Sequence, residues 1–142
     1  MIDARGFRTK MVVGMTLGLI PLLGFAAGEQ VVKIGLTGPL TGPQSALGKD
    51  HENGLKMAME LLNAQGIVVA GKKVRFELMS EDDAADPRTG MMVAQRLVDA
   101  NVKAVFGPYN SGVATPISKL LNDAGIIMAT VASNPKITQN GY

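Results

Sequence analysis

From Val31 onward, short apolar runs bounded by turn residues alternate with longer segments in which apolar positions recur every three to four residues. The short runs predict strands covered on both faces, the longer segments predict amphipathic helices, and their alternation is the pattern of βαβ units around a parallel sheet. Strands are predicted at Val31 to Leu36, Val74 to Met79, Lys103 to Phe106 and Ile126 to Ala129. Helices are predicted over about Leu47 to Ala64, from Pro87 to about Ala100, and over about Val113 to Ala124.

The helix limits have chemical causes. In the first helix Leu55, Ala58, Met59 and Leu62 share one face, and Gly66 supplies a stop where the chain turns left-handed. Asp86 accepts from free amides at the start of the second helix, and Pro87 sits where a missing N–H does no harm. Val113, Ile117, Leu120, Leu121 and Ala124 form the buried stripe of the third. Met57, Met59, Met79, Met91, Met92 and Met128 fall within these elements and read as pliable core filler or helix surface.

Right-handed crossovers turn this order into an open, doubly wound α/β sheet with strands arranged 2-1-3-4. Ligands of such sheets bind beyond the carboxyl ends of the strands, at the switch point between strands one and three. Three loops converge there: Thr37 to Leu47, Pro108 to Gly112, and Thr130 to Pro135. Gly35, Gly38 and Gly42 do not form a nucleotide fingerprint, because no G-x-G-x-x-G and no lysine paired with serine or threonine accompanies them. Ser111 and Gly112, at the positive end of the third helix, can meet a carboxylate, or Ser111 can serve only as an N-cap. Ser133 adds a hydroxyl and Ala132 a carbonyl suited to an ammonium. Glu81, Asp82, Asp83 and Asp86 lack EF-hand spacing and read as a solvated loop, and His51 as an exposed residue near the start of the first helix.

Composition narrows the function further. The 142 residues are 46% hydrophobic and 18% charged, enough for one domain with a core. The net charge of +2 belongs to the first 28 residues, and the remainder carries 11 basic and 11 acidic side chains. No basic field is left to attract nucleic acid. There is no cysteine, and His51 is the only histidine, which removes disulfides, thiolate chemistry, multi-histidine metal sites and most catalytic triads. No cofactor or metal is expected. Residues 1–28 read as a secretory signal peptide: Arg5, Arg8 and Lys10, an apolar run from Met11 to Phe25, then small residues with cleavage after Ala26 or Gly28. That run, interrupted by Gly14, Gly18 and Pro21, is shorter than the roughly 20 residues of a membrane span.

Several segments in order resemble the type I periplasmic binding proteins of the leucine/isoleucine/valine group, which serve ABC importers. They are Ile34-Gly35-Leu36 with Thr41-Gly42-Pro43, Asn63-Ala64-Gln65-Gly66-Ile67, and Asp82-Asp83-Ala84-Ala85-Asp86-Pro87. Val105-Phe106-Gly107-Pro108, Gly125-Ile126-Ile127-Met128, Ala132-Ser133-Asn134-Pro135 and Gly141-Tyr142 continue the series. The resemblance covers Val31 to Tyr142 and implies amino acid binding in the periplasm, delivery to an inner-membrane permease and no catalysis. It implies that Ser111 and Gly112 hold the carboxylate, and that Ala132 and Ser133 hold the ammonium and carboxylate. Leu47 takes a position often aromatic in the family, with Tyr109 as a substitute.

The resemblance also implies a second lobe, so residues 29–142 are expected to be the N-terminal lobe alone. A half-site open to water gains nothing from closure, and the expected affinity is about millimolar or weaker. Two other readings stand beside it: the sensory lobe of an extracellular receptor, and a truncated product without independent function.

Overall fold

The computed structural model describes residues 28–139. Its elements run β1 (Gln30–Gly38), α1 (Ser45–Gln65), β2 (Val68–Val69), β3 (Lys72–Asp82), α2 (Pro87–Asp99), β4 (Ala104–Phe106), α3 (Ser111–Asp123) and β5 (Ile127–Ala129), closing with a single 3-10 turn at Pro135–Ile137. The leader, residues 1–27 of it, lies outside the described residues, as does the closing Gly141-Tyr142.

The sheet order is β2-β3-β1-β4-β5. β1 is paired in parallel with β3 from Gln30↔Val74 to Gly38↔Asp82 and with β4 from Ile34↔Ala104 to Leu36↔Phe106, and β4 continues in parallel into β5. The four expected strands therefore stand in the expected 2-1-3-4 order. The difference is β2, a two-residue antiparallel strand added at the edge. Val68 and Val69 are too short a run to signal a strand. They pair because Ala70 (φ 50°) and Gly71 (φ 77°) both turn left-handed, which suits the tight hairpin that returns the chain into β3.

Successive strand residues point to opposite faces, and this separates the helices. A side chain at Gly35 would meet Leu97 of α2 and Val105, each 3.1 Å away. Its neighbour Leu36 instead faces Leu55 and Ala58 of α1 across a shared cavity. The sheet is thus doubly wound, with α2 and α3 on one face and α1 on the other. Ala94, Leu97, Val102, Val105, Ile117 and Leu121 form the closed core on the α2/α3 face. Gly90 lets the two helices approach, since a Cβ there would lie 2.3 Å from Val113 Cγ1.

Both helix-limiting signals act as expected. Asp86 accepts from the Thr89 N–H at 2.8 Å with Pro87 behind it, and Gly66 ends α1 at φ 66°. The α1 stripe is corrected: Met59 is buried and Leu55 half-buried, but Ala58 and Leu62 are exposed. Among the described residues the helix packs mainly on β3 and β1, which leaves part of its apolar face exposed.

Candidate functional site

The carboxyl ends of β1, β4 and β5 carry the three loops, and hydrogen bonds lace them together. Gly107 N–H donates to Ala129 O at 2.8 Å, and Thr130 Oγ1 donates to Pro108 O at 2.6 Å while accepting from Ala132 N–H at 3.0 Å. Asn134 N–H donates to Ser111 Oγ at 3.3 Å, which brings the hydroxyl at the start of α3 against the loop that carries Ala132 and Ser133. Gly107 is fixed by crowding: at φ 97° a Cβ would fall 1.9 Å from Thr37 O.

Ser111 is half-buried and is the first residue of α3, with Gly112 exposed beside it. The N-cap is Asn110, not Ser111, because α3 begins two residues earlier than its apolar stripe indicates. Val113 and Ala114 N–H both donate to Asn110 O, at 3.0 and 2.9 Å. Among the described residues the amides of Ser111 and Gly112 make no hydrogen bond, the usual condition at a helix start. Ala132 is half-buried and Ser133 exposed. Leu47 is 44% exposed on the first turn of α1. Tyr109 is half-buried, with its ring centroid 5.5 Å from that of His51 at an interplanar angle of 53°. His51 is thus corrected from an exposed residue to a half-buried one, because the strand-end loop carrying Tyr109 lies over it.

The acidic segment is corrected more strongly. Ser80, Glu81 and Asp82 belong to β3, and Asp83 is fully buried. Asp82 accepts from Leu40 N–H and Ala84 N–H at 2.9 Å and from Thr41 Oγ1 at 2.5 Å, and Asp83 accepts from Thr37 Oγ1 at 3.0 Å and Ala85 N–H at 2.9 Å. Asp82 buckles the end of β3 to the loop after β1, and Asp83, the next residue, ties the chain to Thr37 of β1. Burial pushes the Asp83 carboxyl up. At Asp82 burial acts in the same sense, but the donors from Thr41, Ala84 and Leu40 together outweigh it and hold the group below its ordinary value.

Two cavities of about 470 Å³ flank the loops. One, on the α1 face, is lined by Leu36, His51, Leu55, Phe106 and Val131 among others. The other lies at the free edge of β5 beside Ser118, Met128 and Ile137. None of Leu47, Tyr109, Ser111, Gly112, Ala132 or Ser133 lines either. The polar tip of α3 and the apolar cavities are separate features.

Sequence reasoning missed Asn110 and Gln44. Asn110 Nδ2 donates to Gln44 Oε1 at 2.9 Å, joining the loops after β1 and β4. Among the described residues, Asn110 Oδ1 is the buried side-chain oxygen without a partner. An asparagine one residue before a serine at a helix start was the available signal.

The sequence profile of the periplasmic binding protein family matches residues 31–142. The Leu/Ile/Val-binding protein BraC3 of Rhizobium johnstonii is 38% identical over 89% of this chain and 34% of its own length. An ABC transporter substrate-binding protein from Desulfitobacterium hafniense, solved in complex with Leu, superposes with a TM-score of 0.66 and 31% identity over 80% of this chain and 32% of that one. A solute-binding protein of an ABC transporter from Rhodopseudomonas palustris HaA2, in complex with p-hydroxybenzoic acid, gives a TM-score of 0.63 and 26% identity over 78% and 29%. The chain spans about a third of the length of the curated relatives it matches. A profile match of that extent, on a doubly wound lobe of the same shape, means that the chain belongs to the periplasmic binding protein family.

Proposed function

We propose that the chain is the N-terminal lobe of an exported solute-binding protein, which receives the carboxylate of a branched-chain or related amino acid and passes it to an inner-membrane ABC permease. In this reading residues 1–28 are the signal peptide that takes the protein to the periplasm, and the lobe binds rather than transforms its ligand. One observation carries the reading: α3 starts without a side-chain cap, so the amides of Ser111 and Gly112 stand free where the three strand-end loops meet. A carboxylate there gains two N–H donors and the positive end of the helix. Ser111 Oγ adds a hydroxyl, and Ala132 and Ser133 across the loop add a carbonyl and a second hydroxyl for an ammonium. Leu47 and Tyr109 border the ligand on the α1 side. The ligands named for the two structural neighbours, leucine and p-hydroxybenzoic acid, share a carboxylate, which supports an anion as the common element.

Titration of the 15N-labelled chain with L-leucine, L-valine and 4-hydroxybenzoate tests this. The expected result is movement of the Ser111, Gly112, Ala132 and Ser133 amide signals with an affinity of about millimolar or weaker, since one lobe alone leaves the ligand in water. A micromolar response would show the site to be complete within this lobe. Shifts confined to other regions, or none, would remove the α3 tip as the site.

A further inference from the structure

Asn110 holds the N-cap position of α3 with φ −92° and ψ 130°, the extended geometry from which an asparagine oxygen reaches the amide of the second or third helical residue. Asparagine is among the most effective capping residues, yet this one makes no side-chain cap. Its carboxamide is turned instead to Gln44, which takes the Nδ2 hydrogen at 2.9 Å, and its Oδ1 is left buried and unpaired. A buried carbonyl oxygen without a donor is unfavourable, and a donor with no partner among the described residues stands two residues on, at Gly112 N–H. The side chain therefore has two competing placements. Bridged to Gln44, it leaves the tip of α3 open; swung onto its own helix, it satisfies Oδ1 and occupies the Gly112 amide.

We propose that Gln44 is a positioning residue that holds the Asn110 carboxamide off its own helix and so keeps the Gly112 amide open to a ligand carboxylate. The proposal rests on the reading of the α3 tip as the anion site. It gives the loop after β1 a part in ligand recognition through Asn110. It also explains why a strong capping residue at a helix start is left uncapped. The apparent affinity of the tip is then set by the fraction of molecules in the bridged placement.

Hydrogen exchange at the Gly112 amide and leucine affinity, measured on the same 142-residue chain, test this together. In Gln44→Ala the carboxamide loses its acceptor and caps the helix. Gly112 exchange slows and L-leucine binding weakens, each about fivefold, as expected for gain of one cap, while the thermal midpoint holds or rises. Affinity and stability moving in opposite directions is the signature, since a loop that merely comes apart loses both. In Gln44→Glu the acceptor is restored and Gly112 exchanges as in the parent chain. In Asn110→Ala no cap can form, and adding Gln44→Ala has no further effect on exchange. Unchanged Gly112 exchange in Gln44→Ala overturns the proposal. Slowing that persists in the Gln44→Ala/Asn110→Ala pair, or a joint fall in affinity and midpoint, overturns it as well. Should the parent chain show no leucine response, the ligand reading fails, while exchange still decides whether Gln44 restrains Asn110.

Discussion

The two faces of one sheet are finished differently. On the α2/α3 side Leu97, Val105, Val113, Ile117 and Leu121 are fully buried, and α2 and α3 approach closely enough that only a glycine fits at position 90. On the α1 side the single helix covers β3 and β1, and the apolar residues of β4, β5 and the loop beyond stay open: Phe106 is 41%, Val131 60% and Ile127 72% exposed. The strands are the same strands, and the side chains are equally apolar. Burial is decided by which helix happens to lie opposite, so apolar composition on its own does not locate a core.

Truncation is the strongest way to sharpen that contrast. Leu97→Ala removes a fully buried side chain and should cost about 2–5 kcal/mol in urea unfolding, whereas Phe106→Ala on the open face should cost about 1 kcal/mol or less. Comparable losses at both positions would mean that the open face is covered in solution. Glycine replacement gives the next largest difference. Gly90→Ala places a methyl 2.3 Å from Val113 Cγ1 and should destabilise by about 1–3 kcal/mol. Gly54→Ala, in the middle of α1 with open space around it, should stabilise by about 1 kcal/mol.

Among the described residues Asp83 is the fully buried carboxyl, and its titration separates it from Asp82 and Asp86. Asp86 is held low by the amide and hydroxyl of Thr89, and Asp82 is held low by its donors despite burial. Their stabilising effect is present above the unfolded carboxyl value, 3.8, and is lost as pH falls through their folded values. Asp83 has the opposite sign. Burial raises its folded value, so its ionised form opposes folding near neutral pH and this penalty disappears as the group protonates. Asp83→Asn should therefore compare most favourably with the parent at neutral pH, and the advantage should shrink in acid, as followed by unfolding at several pH values. The smallest effect is on the open face: Ile127→Lys should alter stability by no more than about 0.5 kcal/mol. It should lower any tendency of the chain to associate through the β5 edge, read by sedimentation.

Much of this architecture was readable from the chain alone, for local reasons. Asp86-Pro87 and Gly66 announce helix limits through hydrogen bonds and dihedral angles that neighbouring residues cannot change. The parallel order followed from alternation of the two periods. What could not be read were the outcomes of long-range contact. Asp82 and Asp83 looked solvated because their partners, Leu40, Thr41 and Thr37, lie more than 40 positions away. His51 gave no sign of meeting Tyr109, and nothing near Asn110 indicates that its amide will prefer Gln44 over its own helix. The α1 stripe promised a buried face that the helix finds only in part. Ser111, Gly112, Ala132 and Ser133 stand out in the sequence because a helix start and a strand end each leave a local mark. Ser111 Oγ does meet the loop that carries the other pair, through Asn134 N–H. Leu47 and Tyr109 came from resemblance alone, which locates positions without saying what their side chains will touch.

The bonds from Thr130 Oγ1 to Pro108 O and from Asn134 N–H to Ser111 Oγ join the rims of two neighbouring strands into one continuous ledge. In the proposed reading, a solute arriving at the tip of α3 meets a rim whose loops are already tied to each other, so less entropy is surrendered in ordering them. On that reading the hydroxyl-to-carbonyl stitching behind the rim would take part in selectivity by fixing where the groups at its front can stand.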